Sequence, residues 1–288
     1  MNEKPGFNAA QFKTATQKSW DNAAQGWNEQ TPQIHEWLAQ ATQAMIDHAN
    51  VRPGSRVLDV AAGAGDQTLD VAHRVGPDGH VLAVDISPGI LQFAAENARR
   101  QSLSNVATKV ADAENLGLGT ASFDAAICRL GLMFCPDPLK ALQEIHHALK
   151  PHGRVCTLVF SEPQKNPCIG LLISTAFQHA SLPPGDPYQP GSLFSLGKPG
   201  LIDELFKSAG FTDVKTTRIS AVFKLPAAKD YLTFIRTSAS PIQQLLGKLT
   251  PAAKEAAWKE MEEKLDLFQL STHWEGPNEL LLTVGSRQ

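Results

Sequence analysis

The 288-residue sequence predicts an α/β protein built around a doubly wound, largely parallel sheet. The first observation is an alternation of short apolar runs with amphipathic segments of about 10–15 residues, which begins near residue 51. The second is that small and acidic residues directly follow the apolar runs, as at 61–66 and at Asp85. The third is a content of 42% hydrophobic and 19% charged residues, typical of a globular chain that buries its own core.

Strands and helices are predicted to alternate from residue 56 to residue 160. Residues 56–60 predict a buried parallel strand because the run is short and mostly apolar. Ser87 followed by Pro88 predicts the start of a helix, since serine is a good N-cap and proline suits the first helical position. The other elements of the alternation are predicted as strands at 80–84, 105–110, 123–128 and 155–160 and helices at 66–74, 88–101 and 138–150.

The segments outside this alternation divide the chain further. Residues 7–50 are rich in Gln, Ala and Trp at helical spacing, and residues 161–199 are dense in proline and glycine around an apolar segment at 169–177. Long irregular segments in compact domains are commonly functional lids. Beyond them we predict a helix at 198–209, a strand at 212–225, a largely helical stretch at 227–268 and a closing strand at 279–284.

Four regions are therefore expected, each with its own role. They are an N-terminal helical cap at 1–50, a ligand-binding core at 51–160, a lid or insert at 161–199, and a completion of the sheet with a helical insert on the substrate side at 200–288.

Charge and composition exclude several classes of protein. Twenty-six basic residues against 29 acidic ones leave a net charge of −3, which argues against nucleic acid as a partner. No apolar run approaches the roughly 20 residues that span a bilayer, and the N-terminus lacks an apolar signal core. The four cysteines form no CxxC pair. We expect a cytoplasmic protein that binds a small molecule and no metal; its oligomeric state stays open, a homodimer included.

A run of small residues follows the first predicted strand, in the sequence VLDVAAGAGD at 57–66. Such a run between a strand and a helix lets backbone N–H groups approach a ligand closely, and the helix N-terminus adds positive charge. Asp85 stands 20 residues after Gly65, at the end of the second predicted strand, where a carboxylate can accept hydrogen bonds from two ribose hydroxyls. The pattern predicts an adenosine-containing ligand; the alternative is a tight turn with no ligand.

Two residues of this region discriminate between adenosine-containing ligands. A dinucleotide loop has the pattern G-x-G-x-x-G, but Thr68 replaces the third glycine here, and Asp66 places a negative charge where a pyrophosphate would bind. A ligand with positive groups fits better, and Asp59 is expected to face them. Asp112 follows the third predicted strand, where its carboxylate could accept the adenine amine or act only as a turn residue.

These motifs together resemble the class I S-adenosylmethionine-dependent methyltransferases, and within them the ubiquinone/menaquinone-biosynthesis C-methyltransferase group and related small-molecule methyltransferases. The resemblance rests on VLDVAAGAGD at 57–66, VDIS at 84–87, ADAENL at 111–116, the stretch 122–155 and FKSAGFTDV at 206–214. It implies a Rossmann-like sheet of seven strands with the last strand antiparallel, and S-adenosylmethionine as cofactor with S-adenosylhomocysteine as product. It also implies cofactor contacts from Asp59, Ala61, Gly63, Gly65, Asp85, Ile86, Asp112, Ala113 and the backbone of Arg129.

The sequence departs from the family pattern in three ways, of which LKPHGR at 149–154 in place of LKPGGR is a turn variation expected to be neutral. Ala61 stands where many class I members have glycine, and the segment from Arg129 to Gly131 differs from the quinone enzymes, as does the region after residue 160. The resemblance implies in-line methyl transfer to oxygen or carbon of a small, partly apolar acceptor that is aromatic, phenolic or quinone-like. Because of these departures it does not identify the acceptor.

The remaining expectations concern the acceptor side. His35, His179 and Arg129 are the candidates for a catalytic role, each against an alternative as a surface, packing or salt-bridging residue. The tryptophans at 20, 27 and 37 either stack on an acceptor or anchor helices. Two other functions remain open: an inactive module that binds S-adenosylmethionine, and an NAD-dependent oxidoreductase, which Asp66 and Thr68 disfavour.

Overall fold

The computed structural model describes residues 8–238 and 240–288, and its nine described strands form two sheets. The strands are β1 Arg56–Val60, β2 His80–Asp85, β3 Val106–Val110, β4 Phe123–Arg129, β5 Leu149–Phe160, β6 Thr212–Ser220, β7 Phe223–Leu225, β8 Trp274–Gly276 and β9 Glu279–Ser286. The large sheet has seven strands in the order β3-β2-β1-β4-β5-β9-β6, and β7 pairs with β8 in a small second sheet.

The large sheet is parallel except at β9. Strands β1 to β5 pair with their neighbours in parallel, whereas β9 pairs antiparallel with both β5 and β6. This confirms the seven-stranded sheet and its antiparallel last strand. Residues 155–160 are buried without a break, so both faces of β5 are covered, as expected for a central strand of a doubly wound fold.

Ten helices are described around the sheets. They are α1 Ala9–Glu29, α2 Thr31–His48, α3 Asp66–Val75, α4 Pro88–Arg100, α5 Pro138–Ala148, α6 Pro167–His179, α7 Leu201–Ser208, α8 Ala228–Ser238, α9 Ser240–Leu246 and α10 Pro251–Leu265. The helix predicted at Ser87 is confirmed together with its cap, because the Ser87 hydroxyl accepts a hydrogen bond from the backbone N–H of Ile90 at 3.1 Å. No helix of the described ranges is long and apolar enough to cross a membrane.

Some predicted boundaries were wrong. Helix α5 ends at Ala148 rather than at residue 150, and β5 begins at Leu149 rather than at 155, because Leu149 already pairs with Phe123. The single strand predicted at 212–225 is two strands, which pair with different partners. Strand β8 was not predicted at all, since three residues carry too little periodicity to be recognised.

The core lies around β1, β4 and β5, and it places the functional region. The order of the strands reverses between β1 and β4, and the carboxyl ends of parallel strands meet at one edge of the sheet. Helix α1 contacts α4 at this edge, and α2 packs against β5. The loops after β1, β2, β3 and β4 therefore gather beneath two helices from the N-terminal part of the chain.

Candidate functional site

A cavity of about 220 Å³ lies at the carboxyl edge of the sheet and has two parts of different character. The first part, here called the loop half, is formed by the segments 60–63, 84–86 and 111–113 with α1 above them. The second part, here called the aromatic half, is lined by apolar and aromatic side chains, of which the aromatic ones are Trp37, Phe160, Phe223, Tyr231 and Phe234. The cavity thus joins a backbone-rich polar region to an apolar chamber.

The glycine loop takes its shape from left-handed backbone conformations at Ala61, Gly63 and Gly65, whose φ values are 57°, 58° and 90°. At Gly65 a Cβ would also lie 2.9 Å from the Cα of Ala94, so the first turn of α3 packs directly on α4. Glycine is required there by conformation and by space. Ala61 and Gly63 line the cavity, whereas Gly65 does not and instead sets the start of α3.

Ala61, which stands where many class I members have glycine, is accommodated by Gly131 in the loop after β4. A Cβ on Gly131 would lie 2.2 Å from the Cβ of Ala61. The methyl group at 61 therefore occupies space that Gly131 leaves open. The two positions form a matched pair between the loops that follow β1 and β4.

Asp85 holds the loop half together and borders the cavity. Its carboxylate accepts hydrogen bonds from the backbone N–H groups of Gly63 and Ser87, both at 3.0 Å. Burial raises the pKa of Asp85, and these hydrogen bonds oppose the rise. Ile86 lies beside it on the cavity wall.

Asp59 occupies a different place from the one expected. It is completely buried beneath the loop and does not line the cavity, so the expectation that it faces a ligand directly is not met by its position. The Thr68 hydroxyl donates to it at 2.5 Å and the Gln67 amide at 3.2 Å. Burial raises the pKa of Asp59 to about 7. Asp59 thus organises the first turn of α3 from below.

Arg129 and Asp66 both line the cavity and form a buried ion pair. Nη2 of Arg129 lies 2.7 Å from Oδ2 of Asp66, and the two side chains are 4% and 7% exposed. Nη1 of Arg129 donates to the Thr42 hydroxyl at 2.9 Å. Of the two roles considered for Arg129, the structure shows the salt bridge.

Helix α1 is tied to the loops around the site by two polar side chains that sequence reasoning missed. Lys13 bonds Asp112, with Nζ 2.7 Å from Oδ2, and also contacts Glu114. Asp21 accepts a hydrogen bond from the backbone N–H of Gly89 at 3.0 Å. Asp112 and Ala113 line the cavity as expected, but the carboxylate of Asp112 is shared with the lysine of α1. No local pattern links residues that lie 99 or 68 positions apart.

The three tryptophans of the N-terminal helices all border the cavity. Trp20 and Trp27 meet edge to face, with ring centroids 5.3 Å apart, above the loop half. Trp37 lies in the aromatic half, where its ring is 5.0 Å from that of Phe223 and its Nε1 donates to the Ala221 carbonyl at 3.0 Å. Their positions are compatible with both roles considered for them, since each packs on the protein and also faces the cavity.

Neither histidine candidate lines the cavity. His35 is about half exposed, with its Nδ1 3.0 Å from Oδ1 of Asp66, and Nε2 of His179 lies 2.7 Å from Oε2 of Glu260. Both imidazoles are thus paired with carboxylates, His35 with Asp66, which itself lines the cavity, and His179 with Glu260, which does not. Their positions favour the packing and surface alternatives over catalysis.

The cysteines near the site are held as thiols. Cys135 borders the cavity, and burial raises its pKa well above the ordinary value. Burial also raises the pKa of Cys128 and of Cys168 to about 12. A thiolate is the form that attacks or binds metals, so these groups are unreactive at neutral pH.

Comparison with protein families identifies the region that contains this site. Residues 52–181 match the family model described as a methyltransferase domain. This stretch is therefore similar to a methyltransferase domain. Every residue predicted to contact the cofactor lies inside it, whereas Trp37, Phe223, Tyr231 and Phe234 of the aromatic half lie outside.

Curated relatives resemble this domain rather than the whole chain. The ubiquinone/menaquinone biosynthesis C-methyltransferase of Idiomarina loihiensis is 40% identical over 119 residues, 41% of this chain and 47% of that protein. The demethylmenaquinone methyltransferase of a Geobacillus species is 34% identical over 114 residues, 40% of this chain and 49% of that protein. The chain spans about half the length of these relatives.

Solved structures share the fold of most of this chain. The YcgJ protein of Bacillus subtilis aligns with a TM-score of 0.59 at 18% identity, over 87% of this chain and 99% of that one. A second structure is the phosphoethanolamine N-methyltransferase 2 of Haemonchus contortus in complex with phosphomonomethylethanolamine and S-adenosylhomocysteine. It aligns with a TM-score of 0.57 at 18% identity, over 99% of this chain and 62% of that one. The [4+2]-cyclase SpnF aligns with a TM-score of 0.55 at 18% identity, over 92% of this chain and 96% of that one. A fold shared with a cyclase does not determine the reaction, so the reaction must be argued from the site.

Proposed function

We propose that this protein is an S-adenosylmethionine-dependent methyltransferase that acts on a small, largely apolar acceptor. The observation that carries the proposal is the continuity of the cavity, which connects the loop half to the aromatic half. A methyltransferase must hold the donor and the acceptor in adjoining sites, because alignment of the two supplies much of the rate.

The loop half fits S-adenosylmethionine better than a dinucleotide. Asp66 begins α3 and is buried in an ion pair with Arg129, so the helix N-terminus already holds a carboxylate where a pyrophosphate would bind. Asp85, by contrast, is not paired with a cation among the described residues and lines the cavity, as a residue that binds ribose must. This arrangement supports a nucleoside without phosphates and argues against the NAD-dependent alternative.

Each residue of the loop half has a proposed task. Asp85 accepts hydrogen bonds from the ribose hydroxyls. Ile86 and Ala113 contact the adenine ring, and the carboxylate of Asp112 accepts a hydrogen bond from the adenine amino group. The backbone of Ala61 and Gly63 approaches the methionine part closely because neither residue has a long side chain. S-adenosylmethionine, when bound, supplies a methyl group on a positively charged sulfur.

The aromatic half binds and orients the acceptor and excludes water from it. Phe160, Phe223 and Phe234 offer flat apolar surfaces to an aromatic ring, and among the described residues no histidine lines the cavity. An acceptor that gives up its proton readily, such as a phenol or a reduced quinone, needs no strong base. The chamber therefore supports an aromatic, phenolic or quinone-like acceptor methylated at oxygen or carbon, in keeping with the quinone methyltransferases among the relatives.

Titration calorimetry tests the cofactor assignment. Purified protein is titrated with S-adenosylmethionine, S-adenosylhomocysteine and NADH, and the same is done for Asp85→Asn and for the exposed control Asp78→Asn. We expect binding of the first two ligands only. Loss of one charged hydrogen-bond acceptor predicts a roughly ten- to hundred-fold weaker Kd for Asp85→Asn and no change for the control. Binding of NADH alone, or an unchanged Kd in Asp85→Asn, contradicts the proposal.

Turnover distinguishes an enzyme from an inactive binding module. The protein is incubated with S-adenosylmethionine labelled on its methyl group and with panels of phenols, reduced quinones and thiols, and label transfer is followed by mass spectrometry. Labelled product from a phenol or reduced quinone supports the proposed acceptor class. Tight cofactor binding without transfer to any apolar acceptor supports the binding-module alternative.

A further inference from the structure

Tyr231 differs from the other side chains of the aromatic half because it carries a polar group. It lies on α8, where positions 231, 234, 235 and 238 form one buried face at helical spacing. Its ring stacks on Trp274, with centroids 4.7 Å apart, and meets Phe223 at 5.4 Å. These contacts fix the ring, so the position of its hydroxyl is fixed as well.

The hydroxyl of Tyr231 has no partner within the part of the chain that the structure describes. The hydroxyl of Thr157 and the side-chain oxygen of Asn278 also lack a partner, but they are sealed inside the protein. The Tyr231 hydroxyl is not sealed in this way, and its residue lines the cavity, so we take the hydroxyl to border the cavity. The other hydrogen-bonding groups here are already used: Trp37 donates to Ala221 and Ser238 donates to Phe234.

An unpartnered hydroxyl in an apolar chamber is costly unless a ligand completes it. Leaving such a group unsatisfied costs roughly 1–3 kcal/mol, so buried tyrosines normally find a partner for the O–H. Burial raises the pKa of Tyr231 far above its ordinary value, and the nearby Cys168 thiol adds to the rise. The group therefore keeps its proton and acts as a donor rather than as a base.

We infer that the Tyr231 hydroxyl donates a hydrogen bond to an oxygen of the methyl acceptor and so selects ring compounds that carry a carbonyl or phenolic oxygen over hydrocarbons of the same shape. The inference rests on the proposed function and narrows its acceptor class. Tyr231 is a specificity-determining residue in this account: it holds the acceptor by its oxygen, while the phenylalanines hold its ring.

The test uses two probes that differ in one oxygen. 1-Tetralone and tetralin have the same fused-ring frame, but only the ketone accepts a hydrogen bond. Each is titrated calorimetrically into wild type, Tyr231→Phe and Tyr188→Phe, with and without S-adenosylhomocysteine. Tyr188 is the other tyrosine of the chain and lies outside the aromatic half, beside Lys198 at 4.9 Å, so its substitution is a matched control.

The expected result is a loss of selectivity in one variant only. Tyr231→Phe should bind 1-tetralone about 3- to 10-fold more weakly, the effect of one neutral hydrogen bond, and tetralin as well as or better than wild type does. Tyr188→Phe should bind both probes as wild type does. Equal affinity of wild type and Tyr231→Phe for 1-tetralone, or no binding of either probe to wild type, overturns the inference.

The outcome separates this inference from the proposed function. If wild type binds S-adenosylhomocysteine but shows no dependence on Tyr231, only the role of Tyr231 is wrong. If wild type fails to bind S-adenosylhomocysteine, the proposed function is wrong, and the titrations without that ligand still decide whether the hydroxyl selects for oxygen.

Discussion

Removing the carboxylate of Asp66 should destabilise the protein far more than removing an exposed one. In Asp66→Ala the Arg129 guanidinium, 4% exposed, loses its ion-pair partner at 2.7 Å and keeps one side-chain hydrogen bond, to the Thr42 hydroxyl, with only the more distant carboxyl groups of Asp59 and Asp70 nearby. Breaking a buried pair by removing one partner costs about 3–5 kcal/mol, because an uncompensated charge stays inside. The matched control is Asp47→Ala, which removes the partner of Arg74 from a pair whose side chains are 62% and 34% exposed.

The expected shifts in melting temperature follow from the length of the chain. At about 2.1 cal/mol/K per residue, unfolding of 288 residues carries an entropy of roughly 0.6 kcal/mol/K. A loss of 3–5 kcal/mol then lowers Tm by about 5–8 °C, whereas the exposed pair, worth about 0.2–1 kcal/mol, lowers it by less than about 2 °C. Both shifts are read by circular dichroism during heating.

A third variant separates the cost of an isolated charge from the value of the pair. Replacing both partners by apolar residues, as Asp66→Leu with Arg129→Met, should recover most of the lost stability, since apolar groups of similar size often replace a buried pair at little cost. Equal melting temperatures for Asp66→Ala and Asp47→Ala would refute the reasoning. So would a double variant that is less stable than Asp66→Ala.

Three further predictions concern the loop half. Gly65→Ala should cost about 1–3 kcal/mol in urea unfolding, because a Cβ there meets Ala94 at 2.9 Å and the residue has a φ of 90°. Gly131→Ala should lower the free energy of unfolding in urea, because the new Cβ would lie only 2.2 Å from the Cβ of Ala61. Adding Ala61→Gly should restore part of that stability, because it removes the clashing methyl group. Asp59→Asn should change how the free energy of unfolding depends on pH. In wild type the folded state keeps the Asp59 proton up to a pKa of about 7, whereas the unfolded chain releases it at about pH 4. Wild type should therefore lose stability relative to the variant as pH rises from about 4 to about 7.

Each of these has an outcome that contradicts it. A Gly65→Ala protein as stable as wild type would mean that the loop relaxes without cost. Additive effects of Gly131→Ala and Ala61→Gly would show that the two positions do not share space. A stability difference between wild type and Asp59→Asn that is constant from pH 4 to pH 8 would place the titration of Asp59 outside that range.

The sheet was predictable because its signals are local. The run at 57–66 and the Ser87 cap lie within a few residues of the structure they form, and the structure has both where they were expected. The position of Asp85 next to Gly63 also follows from the fold class, because adjacent parallel strands bring their carboxyl ends together.

The aromatic half was not predictable in the same way. Trp37 and Tyr231 come from helices almost 200 residues apart, and each looks like an ordinary core residue in its own helix. The same holds for Lys13, whose contact with Asp112 depends on how α1 crosses α4. His35 and His179 have the chemistry of a general base, but neither lines the cavity, and helical spacing alone does not reveal which residues of α2 and α6 do.

The place of β9 in the sheet has a consequence for how the protein is made. This strand follows all the others in the chain, yet it lies between β5 and β6 and is hydrogen-bonded to both. On the ribosome, β1 to β5 can pair as they emerge, but β6 must wait, with one apolar edge of the growing sheet exposed, until residue 286 has been synthesised. Pairing across such sequence distances is slow and leaves a time window for aggregation.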